Sequence, residues 1–267
     1  MKKISILGCG WLGLPLAKSL VAQGFSVKGS TTSEAKLAVL ESANIQAYSI
    51  RLTENEVIGN LADFLSESEI VIIDIPPKLR GDGAENFVSK IEILIPFIAQ
   101  STVNHVVFIS STSVYADDNT IVSENSQPEP DTESGRQLLA TEKLLQTNTN
   151  FKTTIIRFGG LIGENRHPIH FLAGRKNLEN PEAPINLIHQ NDCIGIIEAV
   201  ISQNVKGEVF NAVAPYHPSR KEYYTQKAVA LGLPLPEFEE EKVSVGKIIA
   251  SEKTTLMLHY SFVKPKL

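Results

Sequence analysis

The sequence predicts an α/β protein in which a parallel sheet is wound on both faces by helices. Three observations predict it. A glycine turn, Gly8-Cys9-Gly10-Trp11-Leu12-Gly13, sits between the apolar run Ile4–Leu7 and a helical stripe of Leu12, Leu16, Leu20 and Val21. Short apolar runs at 69–75, 104–109 and 153–158 have the character of strands buried on both faces. Segments of helical periodicity lie between them, the alternation that builds βαβ units. Together these specify a Rossmann-type doubly wound sheet, with a small C-terminal substrate lobe. We assign residues 1–163 to the core and 164–267 to a mixed segment, of which 185–213 completes the core.

Composition narrows the function classes. A chain of 267 residues can bury a full-sized core. A net charge of −5 without a Lys/Arg cluster argues against nucleic acid, and no apolar run reaches the ~18 residues of a membrane span. The apolar segment between Lys3 and Cys9 is shorter than the ~7–15 residues of a secretory signal. Cys9 and Cys193 have no framework spacing and read as buried, reduced thiols of a cytoplasmic protein. His167 and His170, without a placed carboxylate or thiolate, make no metal site.

In chain order, the turn comes first. Gly8 permits the tight bend, Gly10 lets backbone approach a pyrophosphate, and Gly13 lets helix pack on strand. Trp11 and Leu12 open the helix, whose N-terminus offers free N–H groups to phosphates. A second strand at 27–29 leads into Ser30, Thr31, Thr32 and Ser33, where a dinucleotide site usually carries an acidic residue for the ribose. Small hydroxyls here, with Lys36 just beyond, favour NADP, with NAD the alternative; Ser33 also reads as the cap of a helix at 34–41. A third strand is expected around 45–52 and a helix near 56–65. The 69–75 strand empties through Ile75 into Pro76-Pro77, at the edge where open α/β sheets hold their ligands. The next helix, 84–100, carries apolar residues well beyond one stripe.

The strand at 104–109 ends in Ser110-Ser111-Thr112-Ser113-Val114-Tyr115, more hydroxyls than a turn requires. A polar loop, 117–131, is long enough to lie over the crevice. A helix at 132–147, a strand at 153–158, a strand at 185–189, a helix at 194–202 capped by Asn191 or Asp192, a strand at 207–212 and a helix at 219–231 complete the chain.

Phe108 through Tyr115 resembles the strand end of extended short-chain dehydrogenases/reductases, the epimerase/dehydratase branch, which act mostly on nucleotide sugars. The likeness continues through Glu129-Pro130, Gly135-Arg136, Glu142-Lys143, Ile156-Arg157 with Gly163, Ile188-His189 with Asp192, and Val209-Phe210-Asn211. The opening Gly-x-Gly-Trp-Leu-Gly-Leu-Pro looks like a bacterial atypical subgroup. The resemblance implies a catalytic role for Ser111 and pairing as a homodimer through the two middle helices. It also implies a departure. Anchored on Gly135-Arg136, the family's Tyr-x-x-x-Lys falls on Ser134 and Leu138, which cannot supply an acid/base phenol and its lysine. Tyr115 is then the nearest phenol for a proton route. Gly159 and Gly160 replace an aromatic-Asn pair near cofactor and substrate, opening space there. Ser110 and Gly159 thus join the cofactor residues. Thr112, Ser113, Gly160, Arg166, His167 and His189 form the expected substrate side, with Arg166 as an anion clamp.

Two functions follow. One is an NAD(P)-dependent oxidoreductase, epimerase or dehydratase acting on a polar, nucleotide-sugar-like small molecule through a non-standard site. The other is a non-catalytic dinucleotide sensor or regulatory protein.

Overall fold

A computed structural model describes residues 2–77, 85–239 and 241–267. Its centre is a seven-stranded parallel sheet of β1 (Lys3–Leu7), β2 (Ser26–Thr31), β3 (Gln46–Ser49), β4 (Ile70–Ile73), β5 (His105–Ser111), β6 (Lys152–Phe158) and β7 (Val209–Ala212). Side by side they run β7-β6-β5-β4-β1-β2-β3. The chain starts mid-sheet, walks to one edge, returns to lay β4 against β1, and walks to the other edge. That reversal opens a crevice above the carboxyl ends of β1 and β4, where α/β sheets take ligands.

The helices are α1 (Gly13–Ala22), α2 (Leu37–Glu41), α3 (Leu61–Leu65), α4 (Phe87–Ala99), α5 (Glu133–Gln146), α6 (Ile169–Leu172), α7 (Gln190–Ser202), α8 (Arg220–Ala230) and α9 (Glu252–Met257). Strand alternation sorts the apolar runs between two cores. Ile70 and Ile72 of β4 join Ile4 and Ile6 of β1 against Leu16 and Leu20 of α1 and Ile196, Ile197 and Val200 of α7. Val71 and Ile73 face the other way, onto Phe64 of α3, Ile91 and Leu94 of α4 and Leu145 of α5. Each such side chain contributes about 1.5–3 kcal/mol by leaving water. A third cluster, Ile162, Ile169, Ile185, Leu187, Tyr223, Tyr224 and Ala228, holds the C-terminal lobe together.

Several boundaries differ from the sequence expectations. The expected third strand breaks: β3 ends at Ser49, and Arg51–Leu52 turns back to pair antiparallel with Val57–Ile58. That hairpin takes the start of the helix expected at 56–65. The helix expected at 34–41 begins as a 3₁₀ turn, Glu34–Lys36, and Ser33 makes no side-chain cap. Position 84, the expected start of α4, lies outside the described residues. α7 starts at Gln190, and its cap is His189, whose ring accepts the Asn191 N–H. Neither Asn191 nor Asp192 caps it. The Asp192 carboxylate instead accepts from the Tyr260 hydroxyl (2.9 Å) and the Val263 and Lys264 amides, fastening the C-terminal segment. The 117–131 loop is tied to the same end of the chain, with Ile121–Val122 pairing to Ile248–Ile249. The apolar surplus on α4 is smaller than its sequence suggests. Ile95, Leu139 and Leu144 pack against the core, and Phe97 is the large apolar side chain that α4 leaves exposed.

Among the described residues no helix is long and apolar enough to cross a membrane.

Candidate functional site

The glycine turn divides its three glycines by role. Gly8 lies at φ +109°, and a Cβ there would fall 2.3 Å from the Asp74 carbonyl oxygen. A Cβ on Gly13 would fall 2.2 Å from the Gly8 carbonyl oxygen. Gly8 and Gly13 are therefore fixed by close packing. A Cβ on Gly10 would meet nothing within 4 Å. The open space lies over Gly10, at the start of α1. That helix has no side-chain cap and no acidic residue in its first turn, whereas Asn86, Thr132 and Ser219 cap α4, α5 and α8. The Trp11 and Leu12 amides make no backbone hydrogen bond among the described residues. Free amides and a helix dipole above an open floor suit a pyrophosphate, so the residues present fit a dinucleotide.

From this floor a cavity of about 460 Å³ extends over the carboxyl ends of β1, β2 and β4. Gly8, Gly10, Ser30, Thr31, Thr32, Ile75 and Pro76, all expected from the sequence, line it. Ser30 lines it from beneath. Its hydroxyl is 2% exposed and accepts the Gly8 N–H at 3.0 Å, so it braces the turn. Thr31 accepts the Ser33 N–H through its hydroxyl (3.1 Å), leaving Thr32 as the exposed hydroxyl of the trio. Ser33 and Pro77 are outside the lining, as are Trp11, Leu12 and Gly13.

Sequence reasoning missed Arg51, Asp74 and Lys90, which line the same cavity. Arg51 was hidden inside the expected 45–52 strand; because that strand stops at Ser49, Arg51 sits at its carboxyl edge. Lys90 comes from α4 and is paired with Glu85. Asp74 follows β4, and its carboxylate lies against the Gly13 backbone; burial pushes its carboxyl up to about 7, against the pull of that backbone and of Arg166.

At the end of β5 the hydroxyls separate. Ser111 is partly exposed, and its Oγ accepts the Ser113 N–H at 3.1 Å, which leaves its proton free to donate. Thr112 is buried and Ser113 half-buried in the turn that follows. Two expectations need correction here. Ser110 does not reach toward a cofactor: it is 5% exposed and donates to Glu142 Oε1 at 2.6 Å. Tyr115 offers no proton route. Its phenol is buried, accepts from Arg157 Nη1 at 2.6 Å, and lies 3.1 Å from both the Ser123 carbonyl and Asn211 Oδ1. Burial raises its pKa above the ordinary tyrosine value. Arg157 closes the network with a two-pronged pair to Glu142, at 3.0 Å from Nε and 2.5 Å from Nη2. Removing one partner of such a buried pair costs about 3–5 kcal/mol; this is structural cement. On α5, Leu138 is buried in the core and Ser134 half-buried, so no lysine stands where the resemblance would put one.

Gly159 does not open space, and Gly160, though exposed, lies against Leu187. A Cβ on Gly159 would lie 2.6 Å from the Asn186 carbonyl oxygen, and one on Gly160 would lie 2.6 Å from Leu187. The strand Leu187–His189 pairs with Gly160–Ile162 and fills the room. Arg166 stacks over the Trp11 ring, 4.9 Å from its centroid, which brings it to the glycine turn. His167 is corrected too. Its Nδ1 accepts the Ile169 N–H (3.1 Å) and its Nε2 meets the Tyr223 hydroxyl (2.9 Å), so both nitrogens are spent. Burial depresses it to about 4. His189 spends Nδ1 on the α7 cap and is half-buried.

Sheet order and the glycine turn beneath the crevice make this a Rossmann-type fold. Solved structures share it. MoeE5 in complex with UDP-glucose and NAD superimposes with a TM-score of 0.80 at 19% identity, over 97% of this chain and 93% of that one. UDP-glucuronic acid 4-epimerase from Bacillus cereus, in complex with NAD, gives 0.79 at 20% identity, over 98% and 91%. No family model matches the sequence. The chain is 35% identical over 268 residues to Protein YeeZ of Escherichia coli strain K12, covering 99% of this chain and 97% of that protein. It belongs to the YeeZ family.

Proposed function

We propose that this protein binds a nicotinamide dinucleotide across the glycine turn and acts as an NAD(P)-dependent oxidoreductase, epimerase or dehydratase on a polar small molecule. The observation that carries the reading is the open floor over Gly10 at the uncapped start of α1. The fold neighbours in complex with NAD and UDP-sugars support the substrate class. Lys36 and Arg51 line the cavity beside Thr31 and Thr32 and would meet a 2′-phosphate there; we assign the preference to NADP. Arg166, held on Trp11, is the clamp for the pyrophosphate or for an anionic substrate.

A bound nicotinamide would supply the hydride acceptor or donor. Ser111, with its proton free, would donate to a substrate hydroxyl or carbonyl. Because Leu138 and Tyr115 supply no acid/base pair, proton transfer would pass through bound water. We further propose that residues 164–267 carry the substrate side and that two copies pair through α4 and α5. Saturable quenching of Trp11, the chain's single tryptophan, by NADP tests the binding reading, and consumption of reduced cofactor with sugar nucleotides, aldehydes or ketones tests turnover. One observation favours a second reading, a dinucleotide sensor: the position of the family lysine is filled by Leu138, packed in the core. Binding without turnover across such a panel selects that reading.

A further inference from the structure

We propose that dinucleotide binding by this protein takes up a proton on Asp74, the carboxylate that lies against Gly13 beneath the glycine turn. The inference rests on the dinucleotide reading and adds a pH control to that site.

Asp74 is anchored where a pyrophosphate would meet it. Its backbone N–H donates to the Leu7 carbonyl at 2.9 Å, which fixes the residue at the end of β4 beside β1. Its Oδ2 would lie 3.0 Å from a Cβ on Gly13, so the carboxylate faces the backbone at the start of α1. The residue lines the cavity together with Gly8 and Gly10. Alone, a carboxylate at a helix start is favoured by the dipole. A pyrophosphate drawn to the same helix start brings like charge against it, and like charge favours the protonated acid.

The neighbouring groups reinforce the shift. Arg166, from the turn after β6, is the cation acting on Asp74, and a bound phosphate would draw its charge away. Cys9 on the turn and Cys193 on α7 face Asp74 with thiols pushed up by burial, Cys9 to about 12, so neither carries charge. Lys36, Arg51 and the Glu85–Lys90 pair complete the cavity's charged lining. In the free protein the Asp74 carboxyl already stands near 7. Binding raises it further, so protons are taken up from about neutrality upward. Affinity is full below the free-state value and falls as pH rises toward the bound-state value. A bound-state rise of one to two units weakens binding about five- to tenfold between pH 6 and pH 8.

Calorimetric titration with NAD tests this, since its pyrophosphate does not ionise in that interval, whereas a 2′-phosphate titrates near ~6. Binding at pH 7.5 in two buffers of different ionisation heat should reveal net proton uptake, and wild-type affinity should fall from pH 6 to pH 8. D74N, neutral and of the same shape, should bind at pH 8 as tightly as wild type at pH 6, with no slope. Flat wild-type affinity without proton uptake overturns the inference and leaves the cofactor reading standing, as does an unchanged slope in D74N. No binding of NAD or NADP at any pH overturns both. If D74N fails to fold, the wild-type proton count decides alone.

Discussion

Gly10→Ala separates binding from folding at the glycine turn. A Cβ at Gly10 touches nothing within 4 Å, and Gly10 is absent from the glycines at positive φ. The substitution should leave stability unchanged or raise it by about 0.4–1 kcal/mol through the unfolded chain's lost freedom. The methyl group, however, occupies the floor on which the pyrophosphate would rest. Losing one charge-assisted hydrogen bond to the turn costs about 1.5–3 kcal/mol, which is about 10- to 150-fold in Kd. The assay pairs thermal melting with titration of Trp11 emission by NADP. Gly8→Ala is the contrast: φ +109° and 2.3 Å from the Asp74 carbonyl oxygen make it a folding defect. Gly10→Ala that melts normally and binds NADP with wild-type affinity would refute the reasoning.

Three further outcomes are expected. Arg51→Gln should weaken NADP by about tenfold while sparing NAD, and Thr32→Asp should reverse the preference, both read by parallel titrations; equal losses for the two cofactors would remove Arg51 from the 2′-phosphate. Once a turnover assay exists, Ser111→Ala should lower kcat by about 10²–10³, the loss typical of one oriented donor, while Ser134→Ala changes it little; the opposite ranking would show Ser134 to be the working hydroxyl. Sedimentation should show a dimer that Phe97→Glu dissociates, and a monomer at high concentration would count against pairing through α4 and α5.

The sheet was legible because its central strands are buried on both faces, so apolar runs such as 69–75 stand out from the helical periodicity around them. The glycine turn was legible because its spacing follows from the close packing at Gly8 and Gly13. What escaped was side-chain direction. Ser110 and Ser111 are adjacent and chemically identical, yet strand alternation sends one hydroxyl to Glu142 in the interior and leaves the other partly exposed. Tyr115 reads as a phenol near the chemistry until Arg157 and Asn211, 42 and 96 positions away, close around it. Ser30 reads as a ribose contact, and only the backbone of Gly8, 22 residues earlier, shows it bracing the turn. Arg51 escaped through a three-residue error in a strand end. Gly159 and Gly160 were read as missing side chains; the structure fills the room with Asn186 and Leu187 from a later strand.

The most direct test of the central claim is a crystal structure of the protein with NADP bound. The account predicts the pyrophosphate over Gly10 against the Trp11 and Leu12 amides, with the 2′-phosphate between Lys36 and Arg51. A dinucleotide bound elsewhere, or no dinucleotide at saturating concentration, would contradict it.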